Sequence, residues 1–478
     1  MPFPSQTPCR SDGTAAAPLT LSKYLPMKHL PSLLLASSLA SLLPAVAQNA
    51  APQEQAAFQT IHPKLELSEG DTVVFLGDSI THQCLYTQYV EDYFYTRHPS
   101  MRLRFHNAGV GGDRAQDALR RFDADVAAFK PKYVTILLGM NDGTYRGFDQ
   151  PTFDTYERDM KEVLDRIKSI GATAIPMTPT MHDSRAQRIR GKTQEPRDTY
   201  YNGVLAFYGT WLREQAETRG LGFVDMWSPL NNLTLQQRKT DPNWTMIKDG
   251  VHPGPVGQCV MATAIINDMV ARGPVSQANL TWHAEKPSGR AANASLSALS
   301  ATSTSLSFTL ESKSLPWVLP ADAAEGVKLT KLGHRYSNEK IIVKNLPAGT
   351  YELSIDGIAV GSWNDAQLST GVELEENQTT PQYQQAAKVA ALNKERNDKF
   401  YQPIRGQFSQ LKGKQRNLAI LERSQGPELA KAKEEFATWH QEMQAKVNNL
   451  LTDARAAEVA IYDAAQPKAH HYTLSLKK

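Results

Sequence analysis

An α/β fold, with a parallel sheet covered by helices on both faces, is predicted by three features of this sequence. Short apolar runs alternate with helical patterns over residues 66–274, polar residues capable of chemistry stand directly after those runs, and the composition changes near residue 275. The alternation marks parallel strands, because a parallel pair needs a crossover long enough to hold a helix. Strands at 72–76, 102–106, 132–138, 173–178 and 222–226 make this a flavodoxin-like three-layer domain with a five-stranded parallel sheet.

The first strand is the β-branched run Thr72-Val-Val-Phe-Leu, which stops at Gly77 and delivers Asp78 and Ser79 ahead of a helical pattern. Asn107 and the glycines at 109, 111 and 112 follow the second strand. They superficially resemble a phosphate-binding loop, but neither G-x-G-x-x-G nor a G-K-[ST] ending is present, so no nucleotide site is expected. After the third strand comes Asn141-Asp-Gly. A helix over 153–170 follows from Phe153, Tyr156, Met160, Val163, Leu164 and Ile167 at three- and four-residue spacing, ended by Gly171. Ligands of such sheets bind at the carboxyl ends of the strands, so Ser79, Gly112 and Asn141 converge on one edge.

His182 and Asp183 follow the fourth strand, but no further ligand stands at metal spacing and H-E-x-x-H is absent. No metal or other cofactor is expected. The loop after them carries Arg185, Arg188, Arg190, Lys192 and Arg197. Such a run is ordinarily a solvated face; the alternative is recognition of an anionic substrate by guanidinium forks. Tyr145, Arg146, His182, Arg185 and Trp244 are candidates for substrate contacts in the wall of a pocket. Beyond the fifth strand, Asp249-Gly-Val-His252-Pro precedes a helix opened by Pro255, which presents the imidazole from a loop.

A serine hydroxyl is a weak nucleophile at neutral pH and needs an adjacent base together with donors for the oxyanion. His252 can supply the base, with Asp249 three residues earlier bonding one ring nitrogen while the other faces Ser79. Glycine at 112 lets a backbone N–H approach a developing oxyanion, and Asn141 can add a side-chain N–H. Taken singly, Ser79 would read as a helix cap, Asn141 as a turn residue and His252 as structural. Asp78 reads as a structural acceptor of backbone N–H groups.

Gly77-Asp78-Ser79, Asn107-Ala-Gly-Val-Gly-Gly112-Asp-Arg, Leu138-Gly-Met-Asn141-Asp and Asp249-Gly-Val-His252-Pro together resemble the four signature blocks of the SGNH (GDSL) esterase/acetylesterase family, in that family's order over residues ~70–272. The resemblance implies Ser79 as nucleophile, Gly112 and Asn141 as oxyanion donors beside the Ser79 amide, and His252 as base oriented by Asp249.

At 478 residues the chain is expected to hold more than one domain. A formal net charge of +3 gives no reason to expect a nucleic-acid partner. Met27-Lys-His-Leu-Pro, a serine-rich apolar stretch and Ala45-Val-Ala47 read as a signal peptide over 1–47, cleaved after Ala47, with Met27 a candidate initiator that would make 1–26 an extension. The apolar stretch is too short for a membrane span, so a secreted or periplasmic protein is expected. Export leaves Cys84 and Cys259, each on a helix just after a site residue; a disulfide and two buried free thiols are both open.

From 275 to 378 Ser, Thr and Ala with alternating strands predict a small β region, including a hairpin around Asp356-Gly357. Residues 379–466 read as two long antiparallel helices broken near Ser424–Pro427, and 467–478 as a terminal strand that rejoins the β region. All the proposed catalytic groups precede residue 253, so the helices are expected to be dispensable for turnover of a small ester. The expected activity is an exported serine esterase removing small acyl groups, above all acetyl, from a small molecule or polysaccharide. Lysophospholipase or thioesterase action, and a non-catalytic surface-binding role, are the alternatives that turnover of a chromogenic acetate would separate.

Overall fold

In a computed structural model, which describes residues 60–190, 197–425 and 427–477, the strand leading to Ser79 lies inside a parallel sheet. β1 (Thr72–Gly77) pairs with β2 (Arg104–Gly109) on one side and β3 (Tyr133–Leu137) on the other, and β4 (Thr173–Pro176) lies outside β3. Helices α1 (Ser79–His82), α2 (Leu85–Arg97), α3 (Ala115–Asp125) and α4 (Gln150–Ser169) connect or follow these strands. They are succeeded by α5 (Ser184–Ile189), α6 (Arg197–Arg219), α7 (Trp227–Gln237) and α8 (Pro255–Met269). α2 packs with α8 and α3 with α4, over a core that includes Val74, Phe75, Ile136, Ile175 and Ile266. The signal peptide expected at 1–47 lies outside the described residues.

Among the described residues the sheet has four strands rather than the expected five. The segment 222–226 contributes a single bridge, in which Val224 N donates to Pro176 O at 3.2 Å and Thr178 N to Val224 O at 3.0 Å. The preceding rung would need an N–H at position 176, which proline lacks. In the other direction Thr178 Oγ1 accepts the Met226 and Trp227 N–H groups, both at 2.8 Å, and turns the chain into α7.

The β region is a sandwich. β5 (Ser276–Thr281), β6 (Ser288–Ala292), β9 (Glu339–Lys344) and β12 (Val372–Glu373) form one sheet. The other contains β7 (Ala294–Ala301), β8 (Ser305–Ser312), β10 (Thr350–Ile355), β11 (Ile358–Asn364) and the terminal β13 (Ala469–Leu476). Alternation places Leu306, Phe308 and Leu310 of β8 inward, against Tyr472 and Leu474 of β13. Asp356 and Gly357 both have positive φ, +51° and +83°, as a two-residue hairpin of the primed kind requires. Short helices α9 (Ala324–Thr330), α10 (Leu332–Tyr336) and α11 (Asp365–Thr370) fill the connections. His334, Glu373 and Glu375 lie at metal-ligand spacing on this region, with His334 Nδ1 already 2.8 Å from Glu373 Oε2.

Between β12 and β13 the chain makes α12 (Pro381–Arg396), a π-helical turn at Asn397–Tyr401, α13 (Gln402–Ser424) and α14 (Leu429–Ala464). This hairpin is not an appendage. The Arg405 guanidinium grips Asp125 of α3 through both oxygens, at 2.7 and 2.8 Å, with both side chains fully buried. Arg396 reaches Glu91, Asn393 donates to Asp92, and the Tyr401 hydroxyl donates to Phe105 O. Among the described residues no helix is long and apolar enough to cross a membrane.

Of the two alternatives left open for the cysteines, the structure has free thiols, both buried. Cys84 points toward Tyr401 and Ala454 of the hairpin, whereas Cys259 faces Thr330 of α9, so the sulfurs are directed to different elements.

Candidate active site

Close packing at the end of β1 puts Ser79 where it is. A Cβ on Gly77 would lie 2.1 Å from Thr81 Oγ1, and one on Gly109 would lie 2.3 Å from His82 N, so only glycine at both positions lets α1 sit directly on the sheet. Asp78 caps α1 by accepting the Ile80 N–H at 2.9 Å. Asn107 Nδ2 donates to Thr81 O at 2.7 Å and to Thr87 Oγ1 at 3.0 Å, tying β2 to the same turn.

The loop before α8 brings in the other two groups. Asp249 Oδ1 accepts the N–H of Val251 at 2.9 Å and of His252 at 2.7 Å, while Oδ2 lies 2.7 Å from His252 Nδ1. His252 Nε2 lies 2.8 Å from Ser79 Oγ. Burial opposes the charge on Asp249, but the His252 and Val251 N–H groups and the His252 ring outweigh it and hold the carboxyl below its ordinary value. An ionised Asp249 keeps a proton on Nδ1, which leaves Nε2 free to accept from Ser79. The His252 and Asp249 side chains are 36% and 41% exposed, so the site is open to solvent.

Gly112 and Asn141 meet at the same edge. Val110–Asp113 is a turn closed by Asp113 N to Val110 O at 3.2 Å, with Gly112 at φ +69°. Asn141 Nδ2 donates to Asp113 O at 3.0 Å and more distantly to Asp78 Oδ2 at 3.3 Å, and its Oδ1 accepts the Tyr145 hydroxyl at 2.9 Å. Behind them Asp142, which the sequence reading passed over, accepts the Ala115 N–H at 2.9 Å and the Gly139 N–H at 3.0 Å. Burial pushes both Asp78 and Asp142 up to about 7.

The candidate wall residues divide. Tyr145 stands beside Asn141. His182 is buried behind it, its ring against Tyr145 and Tyr201, and so is not presented to a substrate. Exposed Arg146 bonds Thr152 at the start of α4 at 2.9 Å. Arg185 is exposed on α5, and Trp244 donates to Glu325 at 2.9 Å. The segment 182–190 also supports the histidine loop: Asp183 N donates to Gly250 O at 2.8 Å, Gln187 Nε2 to Asp249 O at 3.2 Å, and Arg190 to Lys248 O at 3.4 Å. Gln258 likewise couples the two halves, accepting the Tyr86 N–H and donating to Gln83 Oε1 and Pro253 O. Only its place one turn into the helix after His252 hinted at this. A cavity of about 690 Å³ lined by Trp317, Leu319, Val327 and Tyr383 includes none of Ser79, Asp249 or His252. The hydrogen-bonded trio, rather than the cavity, marks the candidate site.

A parallel α/β domain that presents Ser, His and Asp in sequence of contact, with glycine- and asparagine-bearing turns beside the hydroxyl, has the equipment of an acyl hydrolase. Residues 75–259 match the GDSL-like Lipase/Acylhydrolase family, a match that indicates a carboxylic ester hydrolase. An acetylxylan esterase of Geobacillus stearothermophilus is 26% identical over 228 residues, 43% of this chain and 96% of that protein. The thioesterase 1/protease 1/lysophospholipase L1 of Escherichia coli (strain K12) is 27% identical over 156 residues, 33% of this chain and 62% of that protein. A solved structure of a gut microbial diltiazem-metabolizing enzyme aligns over 88% of this chain and 100% of its own with TM-score 0.73 at 24% identity, a likeness of fold that extends beyond the family domain.

Proposed function

We propose that this protein is an exported esterase that removes short acyl groups, acetyl above all, from carbohydrates through an acyl-enzyme on Ser79. The observation that carries the reading is the unbroken contact Ser79 Oγ to His252 Nε2 at 2.8 Å and His252 Nδ1 to Asp249 at 2.7 Å. Ser79 Oγ attacks the ester carbonyl as its proton passes to His252 Nε2. The oxyanion is received by the Ser79 and Gly112 N–H groups and by Asn141, whose amide gives up the long bond to Asp78. The intermediate collapses, the alcohol leaves with the proton from His252, and His252 then takes a proton from water, whose oxygen attacks the acyl-enzyme. Acetate departs and Ser79 recovers its proton.

Two things support a carbohydrate ester. A relative matched over nearly its whole length is an acetylxylan esterase, and an open site suits an ester carried on a bulky polymer better than an acyl chain needing to be enclosed. The test is acid release from acetylated xylan, acetylated xylo-oligosaccharides and lysophospholipid, beside a chromogenic acetate, for the parent and Ser79→Ala. Acetate release from the glycans that Ser79→Ala abolishes without changing thermal stability is expected. Release confined to lysophospholipid would transfer the reading to lipid esters, and turnover retained by Ser79→Ala would remove the proposed acyl-enzyme.

A further inference from the structure

The turn that carries Gly112 is held from outside the family domain. Lys412 of α13 places its Nζ 3.2 Å from Gly111 O, 2.9 Å from Asp113 Oδ1 and 3.3 Å from Asp117 Oδ2. Asp113 is fully buried and is shared with Arg121 of α3, at 2.7 Å. We propose that Lys412 is a positioning residue for the oxyanion hole: by holding the Gly111 carbonyl it sets the direction of the Gly112 N–H. This rests on the proposed function, in which that N–H receives the oxyanion.

The argument is one of peptide geometry. Gly111 O and Gly112 N–H belong to one planar trans peptide and point in opposite directions, so fixing the oxygen fixes the hydrogen. Val110–Asp113 closes with an i to i+3 bond, and the φ of +69° at its third residue marks a type II turn. Types I and II differ by a rotation of about 180° of this central peptide. With glycine at both central positions, Gly111 and Gly112, neither form meets a Cβ and the backbone alone selects weakly between them. An external donor on Gly111 O therefore decides. An ammonium bonded to the oxygen also polarises the peptide so that its N–H becomes a better donor. In the flipped turn the carbonyl oxygen would face the place where negative charge develops.

The reading separates from simple docking of the hairpin, because docking alone changes stability and leaves recognition of a tetrahedral anion untouched. Full-length Lys412→Met, which keeps the apolar stem, and Lys412→Arg are compared with the parent on a chromogenic acetate. An alkyl boronic acid, which forms a tetrahedral adduct on the serine, and acetate, the planar product, serve as inhibitors. Rates are expressed per site labelled to completion by an organophosphate, so that misfolded molecules are not counted. A hydrogen bond to a charged group shifts the turn population by roughly tenfold or more, and losing an oxyanion donor outright costs about 10²–10³. The expectation is a fall in kcat of about tenfold, KM within about twofold, boronate binding weakened by about the factor lost from kcat, acetate binding unchanged, and Lys412→Arg within about threefold of the parent. A kcat per site within twofold of the parent, or equal weakening of boronate and acetate, would overturn the inference. If Lys412→Met yields no labelled sites, Lys412→Gln is judged by the same comparison. A parent whose turnover does not depend on Ser79 would instead defeat the proposed function, which keeps the two failures distinct.

Discussion

Replacing Asp249 by Asn tests the hydrogen-bond order on which the proposed chemistry depends. Oδ1 of Asp249 accepts two backbone N–H groups, from Val251 and His252, while Oδ2 faces His252 Nδ1 at 2.7 Å. An asparagine keeps both backbone bonds only if its oxygen takes the place of Oδ1, and its NH₂ then faces Nδ1. Two donors cannot face each other, so the imidazole must carry its proton on Nε2, toward Ser79 Oγ, and can no longer accept the hydroxyl proton. Turning the amide over restores the useful tautomer but sacrifices two backbone bonds at about 1 kcal/mol each, leaving only about one molecule in thirty competent. The loss in kcat/KM therefore lies between about thirtyfold and about 10⁴-fold, or roughly 2–5.5 kcal/mol of transition-state stabilisation. Steady-state turnover of a chromogenic acetate between pH 6 and 9 measures it, with thermal unfolding as control, because the loop's backbone bonds survive. Activity of Asp249→Asn within tenfold of the parent would refute this assignment of the protons.

Asn141→Ala should lower kcat by about 10²–10³ with a smaller change in KM, since the amide is proposed to serve mainly the transition state; a change confined to KM would make it a substrate contact. Arg405→Met should destabilise the fold by about 3 kcal/mol in urea unfolding, at the lower end for a broken buried pair because Arg121 still bonds Asp125 at 2.6 Å; a loss below about 1 kcal/mol would contradict a structural role for the pair. Burial raises Asp78, Asp142 and Glu375 to about 7 and Glu339 to about 8, so these groups bind protons in the native state that the unfolded chain has already released. Their stabilising contribution is present below the ordinary carboxylate range and is lost as pH rises through those values. Above about pH 7.5, where unfolded histidines have already released their protons, the urea midpoint should accordingly fall toward pH 8.5, and a rising midpoint would count against it.

Much of the site was legible because its residues sit at fixed offsets from strands. Gly77 ends β1, Asn107 and Gly109 end β2, and Asn141 follows β3, so the strand ends that the apolar runs announce also gather Ser79, Gly112 and Asn141. His252 and Asp249 were readable as a pair by spacing. The fifth strand was over-read because an apolar run reports burial, whereas a ladder also needs a free N–H on the neighbour, and Pro176 has none. His182 looked available because histidine after a strand end is often presented to ligands; its burial behind Tyr145 depends on α6 bringing Tyr201 across. The basic loop looked like a solvated or anion-binding face, yet Asp183 and Gln187 among those charges brace the loop that holds Asp249.

Least legible was the hairpin, and the reason is electrostatic. Arg405 and Lys412 stand in a helix dense with charge, where a cation ordinarily means solvent. Their counterpart charges are Asp125 and Asp113, both buried in the family domain and nearly 300 residues earlier in the chain. Within that domain Arg121 bonds both of those carboxylates, and His106 beside Asp125 is held down to about 4 by its own burial, so it contributes no charge at neutral pH. Asp78 and Asp142 close by are already pushed toward neutrality. One guanidinium against two buried anions leaves charge uncompensated in a low-dielectric interior, a condition that proteins relieve by supplying a partner or by protonation. In this chain the partners arrive from α13, Arg405 for Asp125 and Lys412 for Asp113. The boundary of the family resemblance is thus not a boundary of charge balance, and the domain that carries Ser79 and His252 is electrostatically complete only with the helices that follow it.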